Sequence, residues 1–170
     1  MYGRLPFCAS SDENTSGKNY SLTITSDSAG SLEASGPDTS NKSNAGIMCY
    51  DLEINGNAKV IAKAGESTGS YSHGMAAQSL TVSGDASLEA VSSNSPTYES
   101  MGISLQRNTS SAMTVTDNAY VEARSGYSAS NVNCGIYTGI LTVSGNGQVK
   151  AYGDSGATKS AGIYARGGIV

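Results

Sequence analysis

The residues best suited to chemistry in this chain are carboxylates that recur in one local setting. Glu33, Glu89 and Glu122 each stand between an aliphatic residue and an alanine, in Leu32-Glu33-Ala34, Leu88-Glu89-Ala90 and Val121-Glu122-Ala123. Two acids brought together by a fold can repel one another, share a cation such as calcium, or divide the acid and base roles of glycoside hydrolysis. The remaining chemistry is sparse. His73 is the one histidine and has no second His or Cys at ligand spacing, so neither a zinc site nor a nucleophile–base pair is legible around it. Cys8, Cys49 and Cys134 are an odd number at unrelated spacings, which fits neither a disulfide framework nor a metal pattern. Tyrosine is the abundant aromatic, with ten residues against one Phe and no Trp. A flat apolar ring with a hydroxyl handle suits the C–H faces of sugars.

Whatever positions these groups is not an ordinary globular core. The 170 residues fit one domain, yet they include 21 Gly and only 14% charged residues, against about a quarter in typical domains. With so few large apolar side chains, burial must come from many thin layers, each holding one or two aliphatics. The net charge of −4 argues against nucleic acid, which selects basic surfaces. No apolar run approaches the ~20 residues of a membrane span. Met1 leads into Tyr2-Gly3-Arg4-Leu5-Pro6-Phe7 without the apolar stretch of an export signal, and a piece of a longer protein is the expectation.

Repetition supplies the layers. The strings SLTITSDSAGSLEA, DLEINGNAKVIA, SLTVSGDASLEA, AMTVTDNAYVEA and ILTVSGNGQVKA share an apolar-x-apolar strand, a polar turn and an apolar-x-Ala strand. Each is followed by a variable Ser/Asn-rich loop and a Gly-Ile-like strand: AGIMCY, HGMAAQ, MGISLQ, CGIYTG and AGIYAR. The glycines Gly46, Gly74, Gly102, Gly135 and Gly162 step by 28, 28, 33 and 27 residues, and Ala34, Ala62, Ala90, Ala123 and Ala151 by 28, 28, 33 and 28. Both series place one insertion between the third and fourth units.

Three short period-2 strands per unit exclude a helical solenoid. They predict an all-β, right-handed parallel β-helix of about five coils of ~28 residues, stacked ~4.8 Å apart. The coils run roughly over 22–50, 51–78, 79–111, 112–139 and 140–170, with 1–21 a partial or irregular coil. Leu5-x-Phe7-x-Ala9 reads as the tail of a preceding coil, and Gly168-Ile169-Val170 as the start of a following one, so end-to-end self-association through exposed strand edges is also expected.

Alternation then sorts the side chains. Ladders such as Leu22/Leu52/Leu80/Met113/Leu141 and Ile47/Met75/Ile103/Ile136/Ile163 point inward with the alanines. Ala45/His73/Met101/Cys134/Ala161 points inward or lies at a corner. Cys49 and Cys134 fall three coils apart, roughly 14 Å and beyond disulfide reach, and read as small buried hydrophobes. Gly56-Asn57, Gly84-Asp85 and Gly145-Asn146 supply the positive φ of a sharp corner.

Outward lies a candidate binding patch, Tyr120, Glu122, Arg124, Lys150 and Tyr152, on the second strands of coils four and five. Tyr137 and Tyr164 form an adjacent outward pair, with Tyr71, Tyr98 and Tyr127 on the loops. Glu89 and Glu122 stack in neighbouring coils and are the one place for calcium, but a solvated face relieved by Arg124 and Lys63 is the preferred reading of them. The patch holds a single acid, so paired-carboxylate hydrolysis is not expected. The first strands display Thr-x-Thr pairs of the kind seen on ice-binding solenoids, but Glu53 and several serines interrupt them.

The strings NCGIYTGILTVSGNGQVKA, HGMAAQSLTVSGDASLEA and SAGIY resemble repeats of large surface proteins from clostridia and other gut-dwelling Gram-positive anaerobes, some of the carbohydrate-binding-domain-containing type. The resemblance covers nearly the whole chain from Leu22 onward. It implies an extracellular, non-enzymatic, adhesin-like segment binding polysaccharide or host glycan, or alternatively a passive stalk. One such clostridial group binds pectin-like and cellulosic polysaccharides with calcium through repeated Asp-Gly-Ile strings. Here Ala, His, Met or Cys precedes that glycine, and no calcium ligand carries over.

Overall fold

The computed structural model describes residues 7–8, 20–40, 42–105, 110–129, 132–156 and 158–170. Its regular elements are all strands, and all of them pair in parallel. The first-strand column is β2 (Ser21–Ser26), β5 (Asp51–Gly56), β8 (Ser79–Val82) and β11 (Ala112–Val115). The second is β3 (Ser31–Ser35), β6 (Lys59–Lys63), β9 (Ser87–Val91), β12 (Tyr120–Arg124) and β14 (Gln148–Tyr152). The third is β1 (Phe7–Cys8), β4 (Asn44–Met48), β7 (Ser72–Ala77), β10 (Ser100–Leu105), β13 (Val132–Val143) and β15 (Lys159–Ile169). In β13 and β15 the third strand of one coil runs on without a break into the first strand of the next, which joins the two columns into one sheet.

The register is the one the spacings require. Ala34, Ala62, Ala90, Ala123 and Ala151 stand opposite one another through successive pairs, as do Leu52, Leu80, Met113 and Leu141. These residues, with Ile47, Met75, Ile103 and Ile136, form one continuous apolar lumen. Phe7 pairs with Ile47 and Cys8 with Met48, so β1 extends the third column as the sequence suggested, while Leu5 and Ala9 lie outside the described residues. At the other end Ile169 pairs with Leu141, and Gly168–Val170 follow the first-strand course.

Two kinds of glycine shape the coil. Gly56, Gly84 and Gly145 turn the corner between first and second strands at φ of +67°, +71° and +62°. Asp117 takes the same place at +59°, a conformation that Asp tolerates better than most residues, and its carboxylate accepts a hydrogen bond from Gly84 N at 3.0 Å. The Gly46/Gly74/Gly102/Gly135 column does something different. A Cβ on Gly74, Gly102 or Gly135 would lie 2.5, 2.6 and 2.5 Å from the backbone nitrogens of Val91, Arg124 and Tyr152. Here the third strand presses directly on the end of the second, and only glycine leaves room.

This pinch closes the lumen and creates a second compartment beyond it, where the loop after each second strand packs on the start of each third strand. It is lined by Asn44, Ser72, Ser100 and Asn133, which share one column and are all buried. Asn44 Nδ2 donates to the carbonyls of Gly65 and Glu66 at 2.9 and 3.1 Å, and Asn133 Nδ2 to that of Asp154 at 3.1 Å. Ser100 Oγ donates to Ser93 O at 2.8 Å and accepts from Gly126 N at 2.9 Å. A second hydroxyl column, Ser67, Ser95 and Ser128, is bonded to the carbonyls of Lys42, Ser70 and Tyr98 respectively. The Ser/Asn loop that reads as variable in sequence is therefore an ordered stack of polar staples between coils.

Candidate functional site

The outer face of the second-strand column places one side chain per coil every ~4.8 Å along the axis. Its central row reads Glu33, Ile61, Glu89, Glu122 and Lys150. The flanking rows are Ser31, Lys59, Ser87, Tyr120 and Gln148 on one side, and Ser35, Lys63, Val91, Arg124 and Tyr152 on the other. Strand alternation turns all of them away from the lumen while the leucines, valines and alanines between them are held inside.

Five of the residues singled out from sequence come together here. Tyr120 Oη donates to Glu122 Oε2 at 2.5 Å, and Arg124 Nε donates to Glu122 Oε1 at 2.8 Å. A second guanidinium nitrogen lies 2.5 Å from the same carboxylate oxygen. The Arg124 guanidinium also sits 4.1 Å above the ring of Tyr152, and Lys150 Nζ 5.3 Å from the centre of the Tyr120 ring. Tyrosine, carboxylate, guanidinium and tyrosine thus form a continuous chain across coils four and five, with Tyr152 exposed to 44% at its end. The Tyr120 hydrogen bond, then that of Arg124, holds the Glu122 carboxyl below the usual carboxylate range. The same bond to Glu122 raises the Tyr120 phenol, and Glu122 raises the Arg124 guanidinium.

Glu89 pairs in register with Glu122 as the spacing predicted. Glu122 has both carboxylate oxygens engaged by Tyr120 and Arg124, and Lys63 pairs with Glu33 at 3.0 Å. Among the described residues no three His, Cys, Asp or Glu gather as metal ligands. Beside this chain a shallow open groove crosses coils two to four, lined chiefly by Lys59, Ile61, Ser87, Glu89, Tyr120 and Glu122. The sequence places Ile61 outward in the same row as Glu33 and Glu89 but gives no sign that it and Lys59 line a groove.

Of the two third-strand tyrosines, Tyr137 is a correction, while Tyr164 is half-buried. Tyr137 and Tyr164 stack with centroids 5.3 Å apart and planes 10° apart, but Tyr137 is only 5% exposed and offers no face to a ligand. It packs in a separate cluster with Met101, Cys134, Val132, Ala161 and Tyr164. Met101 and Cys134 are thus buried, but not in the lumen, because the glycine pinch ends the simple alternation before it. His73 likewise lies outside the lumen, half-buried, with its ring 5.9 Å from that of Tyr71, which in turn meets Tyr98 at 5.2 Å. Cys49 packs at the lumen edge, and burial, with the charge of Asp51, pushes its thiol up to about 11; such a thiol is unreactive at neutral pH. Comparison with protein-family models, curated proteins and solved structures finds no match for this chain.

Proposed function

We propose that this chain is a non-enzymatic, extracellular binding segment that holds polysaccharide or glycan on the outer face of its second-strand column. The observation that carries the reading is the Tyr120–Glu122–Arg124–Tyr152 chain. It fixes two aromatic rings and a planar charged pair in one connected line across the face before any ligand arrives. Preorganised aromatic and planar polar groups lower the ordering cost that otherwise opposes weak surface binding. Rings that meet C–H faces, beside groups that bond hydroxyls, are the chemistry sugars require. Glu122, a carboxylate held ionised by two donors, is poorly placed to act as a general acid. The extracellular assignment rests on the resemblance of the repeat strings to those of surface proteins.

A glycan array tests the reading. Wild-type protein should give hits that Tyr152→Ala and Arg124→Ala each weaken about tenfold, and an array without hits overturns it. That blank result is what the second reading, a passive spacer, requires. The spacer has its own support in the buried staples that tie each coil to the next, since they favour a stiff rod.

A further inference from the structure

We propose that the ligand is an extended, uncharged polysaccharide lying along the solenoid axis across coils two to five; this rests on the glycan-binding reading above. The course follows from the groove, whose walls come from three successive second strands, β6, β9 and β12, so that it crosses strands instead of following one. Its central row continues to Lys150 in β14, a span of three coil steps, or roughly 14 Å. A ligand using both Ile61 and Tyr152 must be a linear chain of several units.

The charge follows from how the face is paired. Glu33 is neutralised by Lys63 and Glu122 by Arg124. Lys59 and Glu89 line the groove with opposite signs, and Lys150 stands next to Glu122 in the row, over the Tyr120 ring, as a fourth cation at the far end. The middle of the row is the stacked Glu89 and Glu122; Glu122 is already paired with Arg124, so Glu89 is the carboxylate that would repel a polyanion placed there. A polyuronate needs a cation at each step, and at the centre of this row it meets Glu89. Hydroxyls of a neutral sugar chain can instead bond to Glu89 and Lys59 while its apolar faces lie on Ile61 and the Tyr120 ring.

Affinity electrophoresis in gels containing xylan, hydroxyethyl cellulose or polygalacturonate tests this. Retardation is expected in at least one neutral gel and not with polygalacturonate, with little change on adding salt, since no net ion pairing drives it. Ile61→Arg, which fills the groove at coil two, should reduce the neutral-gel retardation about tenfold, and Thr23→Arg on the first-strand face should leave it unchanged. Glu89→Lys, at an exposed position, should bring in polygalacturonate. Retardation of wild-type protein by polygalacturonate overturns this inference but leaves glycan binding standing. Neutral-gel retardation indifferent to Ile61→Arg overturns the course across the coils. No retardation in any gel overturns both this inference and the reading beneath it.

Discussion

The lumen behind the second strand and the lobe behind the loop that follows it are neighbours across one glycine, yet they are closed by opposite chemistry. In the lumen, Leu88, Ile103 and Val121 exclude water and no polar side chain is needed. In the lobe, Ser72, Ser100, Asn133 and Ser128 are just as buried, and hydrogen bonds to backbone do the closing. The loops carry backbone bonds from coil to coil, such as Ser92 N to Arg124 O and Ser95 N to Tyr127 O, and the buried side chains take up carbonyls and amides that these leave over. The difference teaches that the period of this solenoid is enforced twice. Apolar volume fixes it on one side of the pinch and polar satisfaction on the other.

The sharpest way to break the comparison is to remove the wall between them. Gly102→Val puts a branched side chain where a Cβ would already meet Arg124 N at 2.6 Å and the Gly135 carbonyl oxygen at 2.7 Å. Both are backbone atoms held in coil ladders. A loss of about 4 kcal/mol or more is expected, in the class reserved for severe overpacking, read as a lowered midpoint in urea denaturation. Next comes Ile103→Ala, in the fully buried middle of the lumen. It should cost about 2–5 kcal/mol through lost burial and a cavity.

Ser100→Ala sharpens the contrast. By hydrophobic logic the change is harmless, because a buried hydroxyl is replaced by a methyl group. But Ser100 Oγ accepts from Gly126 N and donates to Ser93 O across the lobe. The loss should be about 1 kcal/mol, the cost of stranding Ser93 O, since Ser92 Oγ also accepts from Gly126 N at 3.1 Å. A result near zero in urea denaturation would mean that the lobe is held by the lumen alone.

How much of this was legible in the sequence follows from the same division. The lumen was, because its residues obey strict alternation and equal spacing; Ala62, Ala90 and Ala123 stand opposite one another as their numbers imply. The corner glycines were too, since positive φ has few substitutes, although Asp117 filled one such place unannounced. The lobe was not, because Asn44, Ser72, Ser100 and Asn133 look like loop composition until the fold shows what they face. Tyr137 failed for a related reason. Alternation correctly turned it away from the lumen, but says nothing about what covers the outer side. The outward placing of the second-strand residues was legible because that strand has lumen on one face and solvent on the other, with nothing between.

The smallest effect expected is at that patch. Glu122 has a lowered carboxyl pKa in the folded protein because Tyr120 and Arg124 bond its ionised form. A group depressed on folding stabilises above its unfolded pKa and loses that contribution as pH falls through the folded value. The gain is therefore full at neutral pH and disappears on acidification through and below the ordinary carboxylate range. On an open face it should stay below about 1 kcal/mol. Denaturation of wild type and Glu122→Gln as a function of pH would then give curves that differ at neutral pH and converge in acid. Tyr152 adds a local readout. Its ring lies under the Arg124 guanidinium, which protonation of Glu122 releases. The Tyr152 ring resonances should shift over that same acid range in wild type and remain flat in Glu122→Gln. A shift that persists in the variant would show that Arg124 is held over the ring without Glu122, and that the line is not one connected unit.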